Sequence, residues 1–149
     1  MTTRQIELVQ SSWSKVAAMD TLTVGSKFYN NLFEIAPHLK IMFRNTSIEE
    51  QSKKLLSMLG YVISKLNKLD DIIYEVKKLA MRHVAYGVHT EDYANVGNAL
   101  IWTLQQALGA DWNNELKAAW TEAYMILAEA MINATNNSAS PRVEPLQGR

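Results

Sequence analysis

The sequence contains no cysteine. That absence removes disulfides, thiolate metal sites, iron–sulfur clusters, cysteine nucleophiles and thioether-attached cofactors. Proline is scarce as well: of three, two (Pro141 and Pro145) fall in the last nine residues, and glycine occurs six times. Strand-and-turn architectures need that punctuation and alternating apolar–polar runs, and neither is present. Charge of one sign is not in excess, since fifteen basic and fifteen acidic residues cancel. A binding mode dominated by phosphate neutralisation is thereby excluded, and no nucleic-acid partner is expected. Three histidines (His38, His83 and His89) leave little room for a multi-histidine metal site. No long hydrophobic run exists. The longest uncharged stretch, Tyr93 to Ala110, contains Asn95, Asn98, Thr103, Gln105 and Gln106 and is too polar to span a bilayer. The start, MTTRQIELVQSSW, has no apolar core of signal-peptide type. A cytoplasmic location is the resulting expectation.

What remains is an ordinary globular composition, 48% hydrophobic over 149 residues, enough for one domain. Apolar residues recur at spacings of three and four along most of the chain, the signature of amphipathic helices. The spacing predicts an all-α fold with helices at about 4–19, 21–35, 37–43, 47–66, 70–86, 91–108 and 113–135. Thr2 or Thr3 caps the first, Pro37 opens the third, Asp70 or Asp71 caps the fifth, and Asn113 or Asn114 caps the last. One domain over residues 1–135 is followed by a polar, proline-bearing tail, 136–149, expected to be disordered. Trp13, Trp102, Trp120 and the seven methionines read as core filling. His38 and His89 are expected at the surface.

Three polar side chains interrupt apolar stripes. Ile72, Val76, Leu79 and His83 lie within about 40° of one another on a helical wheel, so an imidazole closes an apolar face. Taken alone, such a histidine is either a core residue bonded to a carbonyl or a metal ligand. Gln51 is the one clearly polar member of the stripe Ile48, Gln51, Leu55, Met58, Leu59, Val62 and Leu66, and a glutamine so near a helix start can also reach solvent. Tyr29 shares a face with Leu22, Gly25 and Phe33, and a buried tyrosine bonds something through its hydroxyl, most often a backbone carbonyl.

With these residues in view the chain resembles a globin, specifically a single-domain bacterial globin similar to the haem domain of flavohaemoglobins and, more distantly, to neuroglobin. The resemblance covers about residues 4–135. It is carried by LAMRHVAYGV (79–88) with DYANVGNAL (92–100), by FYNNLFEIAPHLKIMF (28–43) and by AAWTEAY (118–124), in that spacing. It implies seven to eight helices around a non-covalent haem b. His83 falls on the proximal iron ligand, and Tyr29 and Gln51 (within EEQSKKL) on the distal ligand-binding pair. Phe43, Leu55, Leu79, Val88, Tyr93 and Val96 fall on the haem pocket, and Lys54, at the edge of the distal stripe, is either the partner of a haem propionate or a solvated lysine. The same register brings Gly25 and Ser52 together where two helices cross closely.

The implied function is reversible binding of O₂, and of CO and NO, with tight O₂ retention. An alternative is nitric-oxide dioxygenase served by a separate electron-donating reductase. A haem-based sensor and a haemless signalling globin are further readings. One departure bears on the choice: the glutamate that flavohaemoglobins set beside the proximal histidine aligns with Thr135, so a strongly basic His83 is not expected.

Overall fold

A computed structural model describes residues 1–85 and 89–139. Six α-helices, α1 (Thr3–Ala17), α2 (Thr21–Ile35), α3 (Ile48–Ser64), α4 (Ile73–Ala85), α5 (Asp92–Leu108) and α6 (Asn114–Ala139), are joined by short 3₁₀ segments, with no strand among the described residues. The helix starts follow from capping chemistry. Thr2 and Gln5 form a reciprocal capping box on α1, the Asp20 carboxylate accepts from the Thr23 N–H on α2, and Ser47 does the same for Glu50 on α3. Asn113 accepts from the Leu116 N–H at the head of α6. Each cap satisfies an N–H that the helix itself cannot, worth about 1 kcal/mol.

Three expectations about the helices are corrected. Asp70 and Asp71 do not cap a helix; both lie exposed inside a 3₁₀ segment, Leu66–Ile72. Lys68 leaves helical geometry there (φ −144°, ψ 48°), while Leu66 and Ile72 are buried and pin the segment at both ends. Residues 70–72, expected to open the fifth helix, thus belong to a turn, and α4 begins at Ile73. At the other end, α6 runs to Ala139, four residues past the expected helix end at 135, and residues 140–149 lie outside the described residues. Pro37 opens a 3₁₀ segment, Pro37–Phe43, rather than an α-helix.

The apolar interior forms two clusters. The larger joins α1, α2, α3, α5 and α6 around Trp13 and Trp120, whose rings lie 6.2 Å apart, with Trp120 Nε1 donating to Ser12 Oγ at 2.9 Å. The smaller packs α4 on α6 through Val76, Ala80, Met131 and Ala134. Trp102 is not core: it is 38% exposed on the outer side of α5. Met1, Met19, Met81 and Met125 are exposed too, leaving Met131 as the fully buried methionine. Methionine and tryptophan carry no positional signal beyond helical phase, so composition alone overestimated their burial.

α2 and α3 cross where Gly25 meets Ser52, as the register requires. A Cβ on Gly25 would lie 3.0 Å from the Ser52 Cα and closer still to its side chain, a distance real Cβ atoms do not adopt. Ser52 is fully buried and its hydroxyl donates back to the Ile48 carbonyl at 2.6 Å, which keeps it narrow. Gly25→Ala should therefore separate the two helices that carry Tyr29 and Leu55. We expect a loss of about 2 kcal/mol in urea unfolding, partly recovered in a Gly25→Ala/Ser52→Gly double variant. An unchanged midpoint for Gly25→Ala would contradict the close crossing.

Candidate functional site

Between the two clusters lies a cleft with about 910 Å³ of empty space, its open mouth included. Its walls come from α2 through α6 and from the Pro37–Phe43 segment, and they are almost wholly apolar. Tyr29, Phe43, Leu55, Leu79, His83, Tyr93 and Val96 all line it, seven of the residues singled out from the sequence. Val88 lies outside the described residues. Lys54 is exposed and is not among the lining residues; neither is Gln51, which is half-buried.

One wall is aromatic. Tyr29 stands edge-on to Phe28 with centroids 5.0 Å apart and meets Phe43 at 5.3 Å, while Phe33 supports Phe43 at 5.5 Å. The Tyr29 hydroxyl donates to the backbone carbonyl of Gln51 at 3.4 Å. Gln51 therefore meets Tyr29 through its main chain. Burial pushes the Tyr29 phenol up to about 12, because the phenolate would be poorly solvated among these rings. Tyr29 is thus a neutral donor at any physiological pH.

The cavity is also lined by His83 of α4, whose Nδ1 is 2.8 Å from the Leu79 carbonyl one turn earlier. A carbonyl can only accept, so Nδ1 bears the proton and the basic lone pair of the neutral ring sits on Nε2. Both readings open from the sequence thus share one geometry: the histidine is carbonyl-bonded, and it lines the cavity as well. Thr135 spends its hydroxyl within α6, donating to the carbonyls of Ile132 (2.9 Å) and Met131 (3.2 Å), and does not line the cavity.

Two residues that the sequence reading passed over also line the cavity. Tyr124 donates to the Tyr93 carbonyl at 2.6 Å. Its ring lies against Gly97, where an added Cβ would come within 2.7 Å of the ring. Burial first, and the neighbouring Tyr93 second, raise its phenol well above the ordinary value. Burial likewise raises Tyr93. The second is Asp92, 1% exposed, which accepts from His38 Nε2 at 2.8 Å and from the His89 N–H at 2.9 Å. Burial by itself would raise this carboxyl, but the hydrogen bonds from His89 and His38 outweigh it and hold Asp92 below the usual carboxylate range. His38 is surface-exposed as expected, at 58% of its side chain, yet it ties the Pro37–Phe43 segment to the start of α5. The signal in the sequence was faint: an aspartate at a helix start reads as solvated, and its partner lies 54 residues away.

Because the folded-state pKa of Asp92 is depressed, its contribution is complete above the unfolded value near 4 and fades as pH falls through the lower folded value. Asp92→Asn should cost about 2–3 kcal/mol at pH 7. The gap to the native chain should narrow below about pH 4 in chemical-denaturation curves. A pH-independent gap would refute the ionised Asp92 carboxylate.

Residues 26–131 match the family model described as Globin. The flavohemoprotein of Oceanobacillus iheyensis is 29% identical over 127 residues, covering 84% of this chain, which spans only 31% of that protein's length. The neuroglobin of Chaenocephalus aceratus is 28% identical, with 84% of this chain and 86% of that protein covered. An anaerobic nitrite reductase of Gossypium hirsutum is 31% identical over 144 residues, with coverages of 87% and 88%. Among solved structures, a bacterial globin from Campylobacter jejuni superposes with a TM-score of 0.79 at 23% identity, covering 93% of this chain and 99% of the other. An engineered carbene transferase made from a putative nitric oxide dioxygenase of Rhodothermus marinus gives 0.80 at 23% identity, covering 93% and 96%.

Proposed function

The chain belongs to the globin family, and on that premise we propose that it holds haem b in the apolar cleft, with His83 Nε2 as the iron ligand, and that it binds O₂ reversibly and retains it tightly. The observation that carries this is a carbonyl-bonded imidazole and a neutral phenol lining the same almost wholly apolar cleft. The residues present fit the group. A flat macrocycle needs apolar faces, and Phe43, Leu55 and Val96 supply them. The iron needs a neutral, oriented imidazole, and Leu79 supplies the orientation. The chain's lack of cysteine makes attachment non-covalent. Bound haem supplies an iron with an open position for diatomic ligands and a one-electron couple.

Each side chain then has a task. The Leu79 carbonyl holds His83 in one tautomer and, as a weaker acceptor than a carboxylate, leaves it only modestly basic. Leu79 and Tyr93 pack beside the imidazole, and Leu55 with Val96 keeps water from the pocket. Tyr29 donates a hydrogen bond to any ligand that carries partial negative charge, which favours O₂ over CO. Its present bond to Gln51, at 3.4 Å, is long for O–H···O, so redirecting the proton costs little. The Gln51 carbonyl holds the phenol's proton only until a ligand takes it, and in this reading the Gln51 side chain, at the start of α3, turns into the cavity as the second donor. Lys54, on the exposed side of α3, is the partner for a propionate at the mouth.

The second reading, nitric-oxide dioxygenase, is supported by the likeness to a flavohemoprotein and by the same buried tyrosine. In it, NO is a substrate and electrons come from a separate donor. Rapid steady-state NO consumption that depends on an added reductase would favour that reading over simple retention.

His83→Ala should abolish haem uptake or weaken it greatly, whereas His38→Ala and His89→Ala should leave the CO difference spectrum intact. Tyr29→Phe should speed O₂ release by roughly 10–100-fold, since a hydrogen bond to a charged partner contributes about 1.5–3 kcal/mol, with a much smaller effect on CO. Stopped-flow displacement measures both rates. Equal changes for the two ligands would assign Tyr29 a steric role instead.

A further inference from the structure

The face of α4 opposite His83 is built unlike a solvated helix surface. At 100° per residue, Val76, Leu79, Ala80 and His83 share the inward half, Tyr74 and Met81 fall opposite His83, and Ile73 and Val84 lie on the flank between. Tyr74, Met81, Ile73 and Val84 are exposed by 67, 45, 45 and 50%. Exposed apolar residues scattered singly are ordinary in any protein, but four large ones on the same side of one 13-residue helix, with exposed lysines between them, are not. Lys77, Lys78 and Arg82 are exposed among them, and Lys78 Nζ lies 5.2 Å from the Tyr74 ring centroid. The nearby acidic residues, Asp70, Asp71 and Glu75, all precede Val76. Within α4 the basic residues Lys77, Lys78 and Arg82 all follow the one acidic residue, Glu75, and so fall on the half of the helix that bears His83.

We propose that this outward face is the docking surface for an acidic protein that donates single electrons to the haem-bound chain. The inference rests on the haem reading above, because an iron that has lost an electron must be returned to the ferrous state in either function. One electron leaves the donor, which is oxidised by one unit, and the ferric centre is reduced by one; no atom crosses the contact. Lys77 and Lys78 lie five to six residues before His83, about 9 Å along the axis, so a donor seated there approaches the iron through a single helix. Tyr and Met are residue types that protein interfaces favour, and the basic flank speeds encounter with an acidic partner. A second copy of this chain is a poorer occupant. Two-fold pairing of α4 with itself centres on Lys77 and Lys78 and sets like charges together. An anionic membrane lying along the helix would meet Asp70, Asp71 and Glu75 at its other end.

The test uses a reduced plant-type [2Fe–2S] ferredoxin as an acidic one-electron probe. With the haem-loaded native chain, the second-order reduction rate should fall about tenfold or more between roughly 20 mM and 500 mM salt. Lys77→Glu/Lys78→Glu should lower the low-salt rate by about tenfold or more and flatten its salt dependence, with reduction by dithionite unchanged. Tyr74→Ser/Met81→Ser should slow the ferredoxin reaction and spare that of dithionite. In the ¹⁵N-labelled chain, oxidised ferredoxin should shift amide signals within 73–84, a readout that needs no electron transfer. A charge-reversal variant reduced at the native rate, or shifts confined to other helices, would overturn the proposal. So would binding of the native chain to phosphatidylserine vesicles that Lys77→Glu/Lys78→Glu abolishes, or a dimer that Tyr74→Ser/Met81→Ser disperses, when ferredoxin shifts are missing. Failure of the haem reading looks different: no haem uptake, or uptake indifferent to His83→Ala, whatever the amide map shows.

Discussion

The hydrogen bond from His83 Nδ1 to the Leu79 carbonyl spans one turn of one helix, yet the rest of the site depends on it. It decides which ring nitrogen is basic, and it fixes the plane of the imidazole against α4. For that bond to matter, α4 must present His83 to the cavity, and its phase is set by the turn that precedes it. Leu66 and Ile72 are buried at the two ends of that turn, while Lys68 breaks helical geometry between them. Val76 and Ala80 then seat the helix on Met131 and Ala134 of α6. Apolar packing thus aims an imidazole; the imidazole does little to hold the packing.

The wall that carries Tyr29 obeys a steric rule rather than a polar one. Gly25 and Ser52 permit α2 and α3 to approach closely, and the approach places the Tyr29 hydroxyl beside the Gln51 carbonyl. With rings of Phe28 and Phe43 around it, the phenol cannot ionise at neutral pH and remains a donor. A neutral donor in a low-dielectric pocket interacts more strongly with a polarised ligand than it would in water. The two polar groups of the cleft are therefore complementary in chemistry: a lone pair on one, an O–H on the other.

Much of this was legible in the sequence because helical phase is a strong signal. The stripe ending in His83, the face of Tyr29 and the small pair Gly25 and Ser52 all follow from spacing and from the globin resemblance. Interactions that join distant segments were not legible. Asp92 pairs with His38 across 54 residues, and Tyr124 reaches the Tyr93 carbonyl across 31. No local pattern marks either. Gln51 illustrates a subtler gap: it meets Tyr29 through its main-chain carbonyl, and which of its atoms faces the phenol depends on backbone approach and rotamer, about which periodicity is silent. The exposed Trp102 and Met81 show the converse, apolar residues whose phase points outward and whose burial composition alone overestimates.

The central claim is that His83 is a neutral, carbonyl-bonded ligand to iron, and resonance Raman spectroscopy of the ferrous, ligand-free haem form reads that bond directly. The iron–histidine stretching band should lie in the modest range of a neutral imidazole bonded to a carbonyl. It should vanish in His83→Gly and return when free imidazole is added. A band at the high frequency of an imidazolate-like ligand, or one that survives unchanged in His83→Gly, would contradict the account.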